Sequence, residues 1–475
     1  MGRRNARGGH AKARRAIRVL VLGVVGALLA AGCGARWDDD QKAEVAARYA
    51  AGGTGSNQQA ATSDATSEAS ANAATGDAVT GTTSPSATGP TAGGPAGGGT
   101  AGSSDKPCAA PSKAPGVSDD AISVGSISSL SGPVPGIAAS AAGASRAYVA
   151  FLNANGGVCG RKVVLREADD GTDNGRYRSV VNELGPKVLG LAGGFGVGDV
   201  GAVDVLEQQK LPGVIVPSGR SVSDVPTIFD INPRYHNEPT VIGKYRYLRD
   251  QGATSVAVVY LAIDQSRAEA NMQRALMEKA GLKIALVHEL PISTLSFDST
   301  ARKVANSGAN YLFFIGDANS NGGMARAMAD TGYKLKVNEY FVFGYGGNFI
   351  ERAGQASEGA STWIRYLPTE EAGSNPSLAT FVEWMGRAAP GQPTDSFAAD
   401  SWVAAKAFFD ALQALPGPIT RDALVAQLTK TGTFDAGGMY GPIRLGAKRT
   451  NFCFVGMKVI DGKWKRITPA KGFLC

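Results

Sequence analysis

Two short stretches concentrate groups able to grip a small molecule. One reads Gly194-Phe195-Gly196-Val197-Gly198-Asp199 and the other Pro217-Ser218-Gly219-Arg220-Ser221. Glycine there admits close approach of a ligand to backbone N–H groups. Ser218 and Ser221 offer hydroxyls, and the Arg220 guanidinium is a planar fork suited to holding a carboxylate through two hydrogen bonds. Loops of similar composition run over 128–136, 262–265, 316–320 and 344–348, the last presenting Tyr345 as a ring that can stack on a ligand. Residues 196–201 also fit GxGxxG, and Arg220 follows at a distance where a phosphate-binding base can stand. An NADP-dependent oxidoreductase is therefore a rival reading. Against it, the motif opens the third strand–helix unit and not the first, as a dinucleotide site would require.

Other chemistries find little support. There is no GxSxG, and beyond His10 the histidines are His236 and His288, neither in an HExxH setting. No CxxC is present, so the sequence calls for no metal and no cofactor. The five cysteines are Cys33, Cys108, Cys159, Cys453 and Cys475. Setting Cys33 aside leaves four, an even number that in an exported chain suggests disulfides. Of the three pairings, Cys108–Cys159 with Cys453–Cys475 is favoured, because each closes a local loop at one end of the folded part.

Those loops need a frame that points them at one place. From residue 121 short apolar runs alternate with helical patterns: strands are expected at 122–127, 162–167, 188–193, 213–217, 255–260, 282–288, 310–315 and 339–343. Helices are expected between them at 137–154, 174–185, 200–210, 236–251, 265–280, 298–306 and 321–332. This is an α/β pattern with a parallel sheet and helices on both faces, and it has too many units for one ordinary sheet, so two lobes are expected. After residue 370 helices dominate (376–388, 396–414, 420–429), followed by strands at 440–444, 452–460 and 463–468. Asp461-Gly462 marks a tight hairpin between the last two. In open α/β sheets ligands bind beyond the carboxyl ends of strands, where these loops lie.

The N-terminus reads as an address. Residues 1–18 hold seven Lys and Arg, residues 1–32 hold no acid, and 19–31 are apolar but too short to span a bilayer. This is the layout of a secretory signal, with Arg14-Arg15 leaving export by a twin-arginine route open beside the general one. The net charge of +7 rests on 48 bases against 41 acids. Removing the seven leaves 41 against 41, so the remainder is neutral and lacks the electrostatic motive for nucleic-acid binding. Leu29-Ala30-Ala31-Gly32-Cys33 is similar to the bacterial lipobox, with Leu one place earlier than usual, which implies a diacylated Cys33. Residues 51–105 are almost wholly Ala, Gly, Ser, Thr and Pro, too poor in apolar side chains to offset ordering entropy. They read as a flexible tether of roughly 40 Å root-mean-square reach.

Several segments resemble the leucine/isoleucine/valine-binding protein family, whose members have the type I periplasmic-binding protein fold. Gly125 through Leu130-Ser131-Gly132-Pro133 is similar to the family's opening strand and loop. The run from Leu152 through Asn155-Gly156-Gly157 to Arg161-Lys162 is similar to its "GG..GRK" turn, and Asp169-Asp170 follow in place. Leu211-Pro212 leading into Val214–Pro217, and Met439-Tyr440-Gly441-Pro442-Ile443, complete a set that covers 119–470. The resemblance implies two Rossmann-like lobes joined by three hinge crossovers, near 235–240, 368–374 and 443–448. The implied divisions are a signal peptide at 1–32, a tether at 33–105, one lobe of 106–238 plus 370–445, and another of 239–369 plus 446–475. It further implies a monomeric lipoprotein on the outer face of the cytoplasmic membrane. Such a protein binds a small polar solute, an amino acid or related carboxylate or amide, for an ABC-type permease. A ligand sensor or cell-envelope binding module without transport is the alternative.

The resemblance also points to site residues. Ser131, Phe195, Gly196, Val197, Ser218, Gly219, Arg220 and Ser221 fall in the first lobe's ligand loops, though the serines usual in the 194–198 loop are missing. Gln265 and Asp317 take positions where the family places aromatics, and the loop with Tyr345 lacks the family's acid. Arg220 and Asp317 would then hold the two ends of a zwitterion. A surface charge or salt bridge is the competing role for both, and core packing for Tyr345.

Overall fold

The computed structural model describes residues 108, 110–134, 136–231, 242–341, 344–346, 348–450 and 453–475. The expected signal peptide, Cys33, the tether and the first crossover, with His236, lie outside them.

The run Val256–Leu261 is apolar on both faces, and β1, though it carries serines, is buried on both, which fits strands covered by helices on each side. The first sheet contains β1 (Ala121–Ser128), β2 (Lys162–Asp169), β3 (Leu191–Ala192), β4 (Gly213–Ile215) and β5 (Ile228–Asp230), all parallel, in the order β2-β1-β3-β4-β5. Helices α1 (Ala139–Ala154), α2 (Asn174–Leu184), α3 (Val203–Gln208) and α4 (Arg220–Asp224) lie between the strands in sequence. The second lobe runs through α5 (Gly243–Asp250), β6 (Ser255–Leu261), α6 (Asp264–Lys279), β7 (Lys283–Leu290), α7 (Asp298–Asn306) and β8 (Tyr311–Ile315). It continues through α8 (Ala318–Asp330), β9 (Val337–Tyr340), α9 (Phe349–Ala353) and β10 (Ala360–Ile364).

The chain then returns to the first lobe as α10 (Pro376–Ala388), α11 (Ser396–Gln413) and α12 (Arg421–Lys430). A small antiparallel sheet of β11 (Thr433–Phe434), β12 (Ile443–Arg444) and β13 (Arg449–Thr450) follows. Finally β14 (Val455–Ile460) and β15 (Lys463–Thr468) join the second sheet, whose order is β15-β14-β10-β9-β8-β6-β7. The hairpin between them turns on Asp461 (φ 56) and Gly462 (φ 68), both left-handed, as a two-residue turn of this twist demands.

Period-2 alternation places the cores. Val256, Val258 and Tyr260 of β6 pack with Tyr311, Phe313 and Ile315 of β8 under α5 and α6. Ala257, Val259 and Leu261 pack with Leu312 and Phe314 on the other face, under α7 and α8. In the first lobe, Ile122 and Val124 share a cluster with α1, α10, α11 and α12, while Leu191, Ile215 and Ile228 meet α2 and α3. α11 is held to α1 by Ser140 Oγ donating to Asp395 (2.8 Å) and by the Ser145 and Ser401 hydroxyls (2.9 Å). Side chains cap the helices that the sequence marks with Asp, Asn or Thr: Asp173 on α2, Asp317 on α8, Asn375 before Pro376 on α10, Asp395 on α11 and Thr420 on α12. Each such cap is worth about 1 kcal/mol.

Several elements depart from the sequence expectations. β5 and β10 were absent from them. β10 reads Ala-Ser-Thr-Trp-Ile, is wholly buried, and is sandwiched between β9 and β14, so tertiary pairing outweighs its polar composition. The strand expected at 452–460 begins at Val455, so the chain enters the second sheet beyond the expected third crossover. Cys108 bonds Cys159 and Cys453 bonds Cys475, the favoured pairing.

Candidate functional site

A cleft opens between the carboxyl ends of the two sheets, with roughly 1330 Å³ of space including its mouth. The first lobe contributes Val134 and Ile137 ahead of α1, Phe195 and Val197 after β3, Val216 after β4, and Ser396, Phe397 and Asp400 from α11. The second lobe contributes Leu261 at the end of β6 and Ile263 beyond it, Gln265, Glu269, Met272 and Gln273 among residues of α6, and Ile315 at the end of β8 with Gly316 and Asp317 beyond it. Phe341, Trp363, Arg365 and Phe454 close the floor. Most of these side chains are apolar, and Phe195 stacks on Phe397 with ring centroids 4.6 Å apart.

Four amides of the 194–198 loop are taken up by side chains of the protein itself. Gly194 N donates to Ser401 Oγ (2.9 Å), Phe195 N to Ser128 Oγ (3.3 Å), Val197 N to Ser129 Oγ (2.9 Å) and Gly198 N to Asp170 Oδ2 (2.9 Å). Those four donors, which the sequence offered to a carboxylate, are spent inside the protein. The glycines of the GxGxxG match have a packing reason instead. A Cβ on Gly196 would strike the Tyr177 ring, and Cβ atoms on Gly198 and Gly201 would strike the backbone of Asp173 and Asn174. They let this loop lie against α2, and no phosphate cradle is formed.

Phe195, Val197, Gln265 and Asp317 line the cleft, and Gln265 Nε2 reaches Val197 O at 3.4 Å across the gap between lobes. Asp317 is 5% exposed and caps α8 through the amides of Asn319 and Ser320. The other sequence-selected residues stand outside the lining. Arg220 projects into solvent, paired with Asp224 at 3.5 Å, and Ser221 is exposed beside it. Gly219 precedes α4, packed on Val200. Gly196 is buried against α2. Ser131 is bonded to Asp169, whose carboxyl burial pushes up but the Ser131 hydroxyl and the amides of Gly171, Leu130 and Ser131 pull down to about 2. Tyr345 is buried, donating to Glu370 at 2.5 Å.

Ser218 is bonded to Asp199 through its amide (2.8 Å) and its hydroxyl. Burial, reinforced by Asp170 and opposed by those bonds, pushes the Asp199 carboxyl up to about 7.

The polar groups of the floor are ones that sequence reasoning missed. Arg365 lies just past β10 and pairs with Asp400 of α11 at 3.4 Å, while Tyr440 Oη donates to Asp400 at 2.5 Å. Glu269 accepts from Gln273 at 2.7 Å, and Tyr245 donates to Gln273. Behind this wall Lys244 is buried in an ion pair with Glu339, which also accepts from Tyr311 at 2.5 Å. Burial pushes the Lys244 ammonium down, against the pull of Glu339. The Trp-Ile-Arg run before a crossover was the one available signal. Among the described residues no group of three or more His, Cys, Asp or Glu is placed to hold a metal.

Comparison with known proteins agrees with this geometry. The model of a family described as periplasmic binding protein matches residues 121–463. The Leu/Ile/Val-binding protein homolog 7 of Brucella abortus (strain 2308) is 24% identical over 380 residues, covering 73% of this chain and 91% of the relative. The fatty acid ABC transporter substrate-binding protein from Thermomonospora curvata superposes with a TM-score of 0.62 at 20% identity, over 76% of this chain and 94% of that one. A solute-binding protein from R. palustris in complex with benzoate gives 0.61 at 16% identity, over 74% and 96%. With its two α/β lobes and intervening cleft, the chain belongs to the periplasmic binding protein family.

Proposed function

We propose that this protein is an extracytoplasmic lipoprotein that captures a solute with a substantial apolar body and delivers it to an ABC-type importer. The observation that carries the solute class is the lining of the cleft, where side chains such as Val134, Phe195, Ile263, Met272, Trp363 and Phe397 surround a few polar groups. Such a site gains affinity from apolar burial and orientation from the polar minority. The sequence alone favoured a small polar solute; the internally satisfied 194–198 loop and the exposed Arg220 move the reading toward an apolar one. An aliphatic or aromatic acid or amino acid meets both requirements, with Arg365 and Gln265 as polar contacts. Phe195, Val197 and Asp317 belong to the same reading, as does division into lobes of 106–238 plus 370–445 and 239–369 plus 446–475.

Anchoring rests on Cys33 within Leu29–Cys33 and on the tether that follows. Two acyl chains would hold the protein stably where one would not. Solute binding would favour the state in which both lobes touch the ligand, and that state is the one a permease can distinguish.

A thermal-shift panel tests the solute class. L-leucine, L-phenylalanine, benzoate and octanoate are compared with glucose and L-glutamate on residues 106–475. A ligand of the folded state at 100 times its Kd stabilises by about 2.7 kcal/mol, so a binder raises the melting temperature by several degrees. Stabilisation by glucose or glutamate with none from the four apolar-bodied compounds would overturn the reading.

A further inference from the structure

Phe454 is the cleft residue with the least ordinary support. It stands ahead of β14, where the chain passes back to the second lobe, and its ring lines the cleft beside Phe341 and Trp363. Its backbone pairs with the last turn of the chain: Phe454 N donates to Leu474 O and Leu474 N to Phe454 O, both at 2.8 Å. The residues flanking this pair, Cys453 and Cys475, are joined by a disulfide. The loop leading there is tied down by Arg466, which donates to Pro469 O (3.1 Å) and Gly472 O (2.8 Å) and pairs with Glu371 (2.8 Å).

The bonded ends also meet other segments near the cleft floor. A Cβ on Gly243, the first residue of α5, would lie 3.0 Å from Cys475 O. One on Gly441, whose amide is bonded to Arg365 O, would lie 2.9 Å from Cys453 O. Leu474 packs into the cluster that holds Phe341, Trp363 and Tyr245, and the Lys244 ammonium is 6.0 Å from the Phe454 ring. By contrast, β14 and β15 are secured by their own ladder and by β10, independently of the disulfide.

We propose that residues 469–475, closed by Cys453–Cys475, form a strap whose role is to position Phe454 in the cleft wall, so that the strap sets solute affinity more than it sets fold stability. The proposal rests on the apolar-solute reading for its affinity arm only. Covalent closure holds the Phe454–Leu474 pair together where two backbone hydrogen bonds join the segments. A fixed ring presents its face to the solute without the ordering cost that a mobile ring would add on binding.

The test compares the purified full-length protein with Cys453→Ser/Cys475→Ser, Phe454→Ala, and the triple variant. Amide hydrogen exchange is read at Phe454, Leu474 and Val455–Ile460, and Kd is measured for L-leucine, benzoate and octanoate. In the double serine variant, exchange at Phe454 and Leu474 should rise at least about tenfold while the β14 amides keep their protection. Kd of the binding probe should weaken at least about tenfold, Phe454→Ala should do the same, and the triple variant should be no weaker than Phe454→Ala alone, since coupled groups are not additive. An unchanged Kd, additive losses, or general loss of β14 protection would overturn the proposal, the last showing a purely structural staple. If none of the three probes binds the unaltered protein, it is the apolar-solute reading that fails. The strap is then judged by exchange, and unchanged exchange at Phe454 refutes it.

Discussion

Replacing Asp199 by Asn should remove a pH dependence that its burial creates. Asp199 is 1% exposed, accepts from Ser218 N, and its carboxyl is pushed from 3.8 up to about 7 by burial. Below about pH 4 the group is protonated in both the folded and the unfolded chain, and its contribution to stability is fully present. As pH rises the unfolded chain ionises first, so stability falls until the folded carboxyl ionises near pH 7 and levels off beyond. The gap between 3.8 and about 7 corresponds to roughly 4 kcal/mol, of which about 2–3 kcal/mol falls between pH 5 and pH 8. Asn keeps an acceptor for Ser218 N and offers a donor to its hydroxyl, as the protonated acid does, but cannot ionise. Urea denaturation of both proteins at pH 5 and pH 8 should therefore show Asp199→Asn gaining on the unaltered protein by about 2–3 kcal/mol over that interval. Asp395, pushed up to about 6 by burial, contributes a loss of the same sign in both proteins and cancels in the comparison. Parallel pH curves for the two proteins would refute the reasoning.

Other outcomes follow from equally specific contacts. Lys244→Met leaves Glu339 buried without its partner and should cost about 3–5 kcal/mol by urea denaturation. Adding Glu339→Leu should restore part of that loss, and no restoration would count against the pair as the cause. Removing Cys108–Cys159 by paired Ser substitution opens a loop of sequence separation 51 and should cost about 4 kcal/mol, read from the same denaturation curves. Cys33→Ala should release the exported protein from membranes in a fractionation assay, and continued retention would argue against acylation.

The frame was legible because its strands are dense in β-branched and aromatic residues and five of its helices carry side-chain caps at their starts. Val256–Leu261 and Tyr311–Ile315 read as buried strands on composition alone, and Asp461-Gly462 marked the final hairpin to the residue. β10 was hidden because Ser361 and Thr362 look like loop residues until neighbours on both sides pair with them. The cleft was legible only where it is made of strand-end loops, as at Phe195, Val197, Gln265 and Asp317. Asp400, Glu269 and Phe454 come from helix interiors and the segment ahead of β14, where local sequence carries no sign of what will face them, and Arg365 was marked only by the Trp-Ile-Arg run before a crossover. Arg220 stood out by type, yet α4 turns it toward Asp224 and solvent.

The packing of α11 on α1 has a consequence for the order in which the polypeptide matures. Ser140 and Asp395 are 255 positions apart, and Arg421 closes on the carbonyls of Gly185, Val188 and Leu189 from more than 230 positions away. As a nascent chain emerges from its N-terminal end, one face of the early sheet has α1 but lacks the rest of its cover until α10 to α12 arrive. The stretch from α5 to β10 has most of its partners within itself and can settle sooner. The half made first thus stays unfinished until α12 is made, more than 230 positions after the carbonyls on which Arg421 closes.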